Sequence, residues 1–264
     1  MIAPSSLPEK FLQWNATHGA PDGRQVRWQK FKNPFRSEAQ IRRALGPFSI
    51  QSNNTIRTFE YPWAFAAGEL QRGMKVLEIG GSLAGFQFVL DQCGCGVVNV
   101  DPGLEALGVG WPCDPASMAK LNAIFGTRVD LRNTTIDQAG LADAEFDRAF
   151  SISVIEHLPP GDLAAVMTHT FRALKPGGLF IVTVDLSLNI HPFTSRQSNE
   201  FGVNQNVCEM IRHQPWELVA GNRAELFGFP EFDADKILSH LETYFLGFYP
   251  ALAQCLVLRK PAAR

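Results

Sequence analysis

The chain has 264 residues, 45% of them hydrophobic and 19% charged, with a formal net charge of −2. That length and apolar content suffice for one large α/β domain or two small ones, and the near-neutral balance supplies no general attraction for a phosphate backbone. Five scattered cysteines (Cys93, Cys95, Cys113, Cys208 and Cys255) without a Cys-x-x-Cys pair argue against a disulfide framework or structural zinc. The start of the chain lacks the basic and apolar character of a signal peptide and no apolar run is long enough to span a bilayer, so a soluble cytoplasmic protein is expected, with no membrane partner.

Residues 1–73 show no strand rhythm. They carry many aromatics, among them Phe11, Trp14, Trp28, Phe48, Phe59, Tyr61 and Trp63, and basic residues including Arg24, Arg27, Arg42 and Arg43. A helical extension packed on a main domain of residues 74–264 is expected, because aromatics in such a segment bury themselves; interleaved with basic residues they could also grip single-stranded nucleic acid. From Lys75 the chain alternates strand and helix, the pattern of a parallel sheet covered on both faces. Val76 to Ile79 reads as the first strand, and Leu83, Phe86 and Leu90 as a helical stripe that Gly94 can end. Val97 to Val100 is the second strand. Asp114-Pro115 reads as a helix cap followed by proline at the first helical position, with Gly126 as the stop and a third strand between Arg128 and Ile136.

Ala149 to Val154 forms the fourth strand, and a helix with Leu163, Val166, Met167, Thr170, Phe171 and Leu174 on one face is ended by Lys175-Pro176-Gly177-Gly178. Leu179 to Val184 is a fully buried fifth strand. The polar stretch Ser187 to Asn206 is too long for an idle connection and is expected to be a substrate loop. Asp233 can cap a late helix with Ile237, Leu238, Leu241 and Phe245 inward, and Gln254 to Leu258 is the last strand.

Chemistry concentrates first at Gly80-Gly81-Ser82-Leu83-Ala84-Gly85. Small residues there let a ligand approach the backbone closely, and Asp101 ends the next strand at the edge where open α/β sheets bind ligands. A carboxylate at that place accepts both hydroxyl hydrogens of a ribose.

With Phe146-Asp147, Glu156-His157-Leu158 and Leu174-Lys175-Pro176-Gly177-Gly178, the chain resembles the class I S-adenosylmethionine-dependent methyltransferases of the small-molecule branch, over about Gly73 to Pro261. The resemblance implies a doubly wound, Rossmann-like α/β fold with a mostly parallel seven-stranded sheet, S-adenosyl-L-methionine as cofactor and a small-molecule methyl acceptor. It puts Glu78 and Gly80 near the methionine part of the cofactor, with Gly81 and Ser82 in the turn beside it. Asp101 would hold the ribose, Pro102 and Asp137 the adenine, and Ser151 and Ile152 the amino end. The chain departs from the family where Ser82 and Ala84 replace glycines.

An NAD-dependent oxidoreductase is the rival reading of the same turn, but Gly80-x-Ser82-x-x-Gly85 lacks the central glycine that admits a pyrophosphate. An RNA methyltransferase using the basic aromatic extension is the other alternative. Transfer to a hydroxyl calls for a base, and His157 just past the fourth strand is the first candidate. His191 in the polar loop is the second, with Asp185 able to orient it or the acceptor. No spacing of histidines or carboxylates commits them to a metal. The polar loop residues, among them Asn189, Thr194, Asn199 and Asn204, suggest O-methylation of a hydroxyl-rich metabolite such as a sugar or glycoside.

Overall fold

The computed structural model describes residues 1–20, 30–50, 55–103, 112–247 and 250–262; Arg24, Arg27 and Trp28 of the basic aromatic extension lie outside them. The described strands are β1 (Lys75–Ile79), β2 (Gly96–Val100), β3 (Asp130–Arg132), β4 (Phe146–Ile152), β5 (Leu174–Ser187), β6 (Glu217–Ala220) and β7 (Ala251–Arg259). They form one seven-stranded sheet in the order β3-β2-β1-β4-β5-β7-β6. β3 to β5 run parallel across β1 and β2, and β7 is antiparallel to both β5 and β6. This is the doubly wound, Rossmann-like sheet expected. The strand order reverses between β1 and β4, and the crevice beyond their carboxyl ends is where such sheets bind ligands.

Helices α1 (Glu9–His18), α2 (Glu38–Leu45) and α3 (Arg57–Ala67) precede the sheet, and α4 (Gly85–Gln92), α5 (Pro115–Phe125) and α6 (Pro160–Ala173) connect its strands. Short helices α7 (Val207–Arg212) and α8 (Ala234–Ser239) follow β5. The cap signals act as the sequence implies. The Asp114 side chain accepts from the Ser117 N–H, Pro115 opens α5 and Gly126 ends it in the left-handed region. Asp233 likewise caps α8 through the Lys236 N–H.

Several boundaries differ from expectation. β3 is only three residues long, and Leu238 of α8 is 41% exposed, not inward. β5 begins at Leu174, paired with Phe146, so Lys175-Pro176-Gly177-Gly178 lies within the strand as an irregularity in the β4–β5 register. A Cβ on Gly178 would stand 2.8 Å from the Lys175 carbonyl oxygen, which is why only glycine fits this fold-back. The irregularity brings Lys175 Nζ to 2.6 Å from Asp147 Oδ1, while Asp147 Oδ2 accepts from the Lys75 N–H at 2.9 Å. The Phe-Asp and Lys-Pro-Gly-Gly strings thus pin the amino-terminal edge of the sheet, opposite the ligand-binding edge.

The extension packs onto the sheet through its aromatics. Trp14, Phe48, Tyr61 and Phe86 form a chain of ring contacts that ends on Phe150 of β4. Pro62 inside α3 has no N–H for the Thr58 carbonyl, and Asn15 of α1 supplies the donor at 2.8 Å. That bond is worth about 1 kcal/mol and fixes α1 against α3. The basic residues are drawn into the same packing. Arg42 donates to the Ser49 carbonyl and pairs with Glu38, and Arg43 donates to the last carbonyls of α5, those of Ile124 and Ala123.

Candidate active site

The glycine turn after β1 is held open by a buried amide network. Asn99 Oδ1 accepts from the Gly81 N–H at 3.2 Å, and Asn99 Nδ2 donates to the Ser82 carbonyl at 2.8 Å and to Gln87 Oε1 at 2.9 Å. Gln87 Nε2 in turn donates to the Ser82 and Ala84 carbonyls. Neither amide was singled out by sequence reasoning; two polar residues on an otherwise apolar strand and helix were the available signal. Ser82 stands at φ 44°, in the left-handed region that makes glycine common at its position. At Gly80, φ is 68° and a Cβ would come 2.4 Å from Val154 Cγ1. Gly85 serves packing instead of a ligand, since a Cβ there would run into the Phe48 ring of the extension at 2.7 Å.

Three cavities run in series across this edge. An apolar slot of about 100 Å³ is lined by Val100, Pro102, Thr135, Ile136, Asp137 and Leu158, with Gly80 and Val154 at its inner wall. Those two residues also bound a polar cavity of about 170 Å³ lined by Arg57, Tyr61, Glu78, Gly81, Ser82, Ile152 and Ser153. Arg57 then borders the third, about 510 Å³, together with Glu156, His157, Asp185, Ser187, Asn189, Asn199 and Asn204.

Most sequence-predicted residues converge here, with differences. Glu78, Gly80, Gly81, Ser82 and Ile152 surround the polar cavity, and Pro102 and Asp137 the slot. Asp101 holds the turn itself: its carboxylate accepts from the Ser82 N–H at 2.7 Å and the Gly103 N–H at 2.6 Å. Ser151 is fully buried with its Oγ unpartnered, while Ser153, two residues on, reaches the cavity. His157 and Asp185 border the large cavity. His191 is not among the residues around any of the three; its ring packs on Phe227 with centroids 5.7 Å apart.

Charge is concentrated where the second and third cavities meet. Arg57 and Glu60 of α3 form an ion pair, and Ser153 Oγ donates to Glu60 Oε1 at 2.8 Å and lies 3.2 Å from Asp185 Oδ1. Burial, and then the charge of Glu60, push the Asp185 carboxyl up to about 7. Burial, and then Asp185, hold Glu156 well above the usual carboxylate range. Burial works against the Arg57 charge, but the surrounding Glu60, Tyr61 and Asp185 outweigh it and keep the guanidinium protonated. Glu78, 3% exposed, is pushed up to about 8 by burial and by Asp101, and its Oε2 has no hydrogen-bond partner. A buried, unpartnered carboxylate beside a turn of small residues fits the ammonium of an amino-acid moiety. The adjoining apolar slot ending at Asp137 fits an adenine ring.

The loop Ser187 to Asn206 walls the large cavity, but much of its hydrogen-bonding capacity is spent on its own shape. Asn204 bonds both the N–H and carbonyl of Ser187 and the His191 carbonyl, and Asn199 donates to Asn189 at 2.9 Å.

A parallel sheet extended by an antiparallel β7, with these cavities at the switch point, defines a class I methyltransferase fold. The sequence model of the family described as a methyltransferase domain matches residues 57–220, more than half the chain. The chain therefore belongs to the S-adenosylmethionine-dependent methyltransferases. It is 29% identical over 181 residues to a ubiquinone biosynthesis O-methyltransferase of Paramagnetospirillum magneticum, covering 67% of this chain and 62% of that one. It is 32% identical over 119 residues to the protein of the same name from Hahella chejuensis, covering 43% and 44%. The chain thus spans less than two thirds of the length of these curated relatives. Among solved structures, the 1,6-didemethyltoxoflavin-N1-methyltransferase of Burkholderia thailandensis, crystallised with its namesake compound and S-adenosylhomocysteine, superposes with a TM-score of 0.53. Coverage is 98% of this chain and 95% of that one at 17% identity, a likeness of fold.

Proposed function

We propose that the protein transfers a methyl group from S-adenosylmethionine to an oxygen of a small hydroxylated metabolite seated in the cavity beside Asp185. The observation that carries this reading is the polar cavity of about 510 Å³ joined through Arg57 to a cleft that fits the cofactor. The named relatives are O-methyltransferases, which supports oxygen as the acceptor atom. A sugar-like polyol suits the lining best, since Ser187, Asn189 and Asn199 present hydroxyl and amide groups around the cavity.

The bound cofactor supplies an electrophilic methyl carbon on a sulfonium, displaced in line. Glu78 accepts the cofactor's ammonium, Asp101 and the Asn99–Gln87 network keep the glycine turn in shape, and Asp137 and Pro102 hold the adenine. The N-terminal extension excludes water by placing Arg57 and Tyr61 over the transfer region. Asp185, with a carboxyl near neutrality, takes the acceptor hydroxyl's proton as the new bond to carbon forms, and Ser153 orients it. His157, at the cavity wall, is the alternative proton acceptor.

Incubation of the protein with methyl-labelled S-adenosylmethionine and a native metabolite extract tests this. A small metabolite carrying the label on oxygen is expected. Label appearing only in RNA, or no stabilisation by S-adenosylmethionine or S-adenosylhomocysteine in a thermal-shift assay, would overturn it.

A further inference from the structure

Glu156 has a feature that the proposed transfer does not use. It lies in the short 3-10 turn Ile155–His157 just past β4, is 6% exposed, and borders the large cavity. Neither of its carboxylate oxygens has a hydrogen-bond partner. His157 Nε2 stands 3.9 Å from Oε1, too long for a hydrogen bond. Arg57, which also borders this cavity, gives its hydrogen bond to Glu60. Leaving a buried acceptor unmet costs about 1–3 kcal/mol, and more for a charged group.

We infer that the large cavity holds an ammonium subsite, with Glu156 as its anion, so that the methyl acceptor is a hydroxylated amine such as an amino sugar or amino alcohol. The inference rests on the proposed methyl transfer and names the acceptor class. Two observations converge on it. The first is the unpartnered Glu156 carboxylate. The second is the sign of the surroundings: Asp185 and Glu200 border the same cavity and Glu60 lies behind Ser153, against the single guanidinium of Arg57. An entering ammonium supplies three N–H donors and a positive charge to a site short of both. Burial and Asp185 raise the Glu156 carboxyl well above the usual carboxylate range, and an ammonium beside it would favour its ionised form. A metal ion suits the geometry less well, since among the described residues no three His, Cys, Asp or Glu side chains are grouped to ligate one.

The test uses the full chain saturated with S-adenosylhomocysteine and three matched pairs of probes: glucosamine with glucose, serinol with glycerol, and dopamine with 4-ethylcatechol. Binding is read by thermal shift and then calorimetry. At least one amine is expected to bind about tenfold or more tightly than its neutral twin, the range of a charged hydrogen bond. Glu156→Gln, which keeps the side chain's size, is expected to erase that preference while leaving S-adenosylhomocysteine affinity within about twofold. Equal binding within every pair, no binding by any amine, or a preference that survives in E156Q overturns the subsite. Stabilisation by magnesium or manganese chloride that disappears in E156Q also overturns it, making the site a metal site. The pairs are compared on the wild-type protein, so the test stands even if E156Q folds poorly. Methylation of a neutral acceptor would sink the subsite and leave the methyltransferase reading intact, whereas failure to bind S-adenosylhomocysteine would sink that reading first.

Discussion

Gly80→Ala perturbs the site in a way that separates backbone from steric cost. The residue stands at φ 68°, where an L side chain costs about 1–2 kcal/mol. Its new Cβ would lie 2.4 Å from Cγ1 and 2.8 Å from Cγ2 of Val154, well inside ordinary carbon contact at about 3.5–4.0 Å. Overpacking of this kind costs about 1–3 kcal/mol, so the expected loss is about 2–5 kcal/mol. Urea unfolding of Gly80→Ala should show a lowered midpoint at unchanged slope. Because Gly80 and Val154 divide the slot from the polar cavity, S-adenosylhomocysteine affinity should fall in parallel. Adding Val154→Ala removes the two methyl clashes, leaving the Val154 Cβ at 3.1 Å and the φ cost in place, so a double-mutant cycle should give a favourable coupling of about 1–3 kcal/mol. A Gly80→Ala protein that unfolds at the wild-type midpoint, with no coupling to Val154, would refute the reasoning.

Four other outcomes follow from the charged groups. Glu78 is raised to about 8, so at pH 6.5 the free protein holds a proton there, and ammonium binding should expel it. Calorimetry of S-adenosylhomocysteine binding in buffers of different ionisation enthalpy should show that release in the wild type and not in Glu78→Gln. Asp185 and Glu78 both have folded pKa values above their unfolded ones, so the folded state binds more protons. Stability of the cofactor-free protein should fall as pH rises from about 4 to about 8, and Asp185→Asn should flatten the part below about 7. A proton-accepting Asp185 also predicts a methylation rate rising through about pH 7, and a kcat lower by about 10²–10⁴ in Asp185→Asn; unchanged kcat would shift that role to His157. Glu60→Gln strips the buried partner from Arg57 and should cost about 3–5 kcal/mol in urea unfolding, while Arg57→Met combined with it should recover part of that loss.

The fold was legible because it is written in local signals that survive tertiary context: apolar strands, the Asp114-Pro115 cap, and glycines at helix ends. β6 was missed because Glu217–Ala220 is a four-residue edge strand with little burial, and edge strands carry no alternation to read. On the proposed cofactor side, Glu78, the turn and Pro102 border the cleft, and sequence could point to them because the family places them at fixed offsets from strand ends. Ser151 lies inside β4 with its side chain buried, whereas Ser153 stands beyond the strand end at φ 46°, where strand alternation no longer applies, and it borders the cleft. The acceptor side was the least legible. Glu60 and Arg57 come from a helix before the first strand, and their relation to Asp185 is made by packing across more than a hundred residues, which no spacing records.

The charges that packing brings together bear on catalysis as well as on binding. Methyl transfer discharges a sulfonium, so a fixed negative field beside it favours the ground state over the transition state and slows the step. Glu60, Glu156 and Asp185 would create such a field if all three were ionised. Arg57 offsets the first through its ion pair, and burial raises the second well above the usual carboxylate range, disfavouring its charge. Asp185 remains, and it is the carboxylate placed to take the acceptor's proton. If it does, its negative charge disappears in the same step as the positive charge on sulfur. In a water-poor site two opposed charges that vanish together cost less than either one vanishing alone, because neither is left buried and uncompensated. A histidine in that role would leave an imidazolium next to a thioether with no such cancellation, although Glu156 at 3.9 Å could pair with it. The clustering of acids at the end of β5 therefore favours Asp185 over His157 as the group that takes the acceptor's proton.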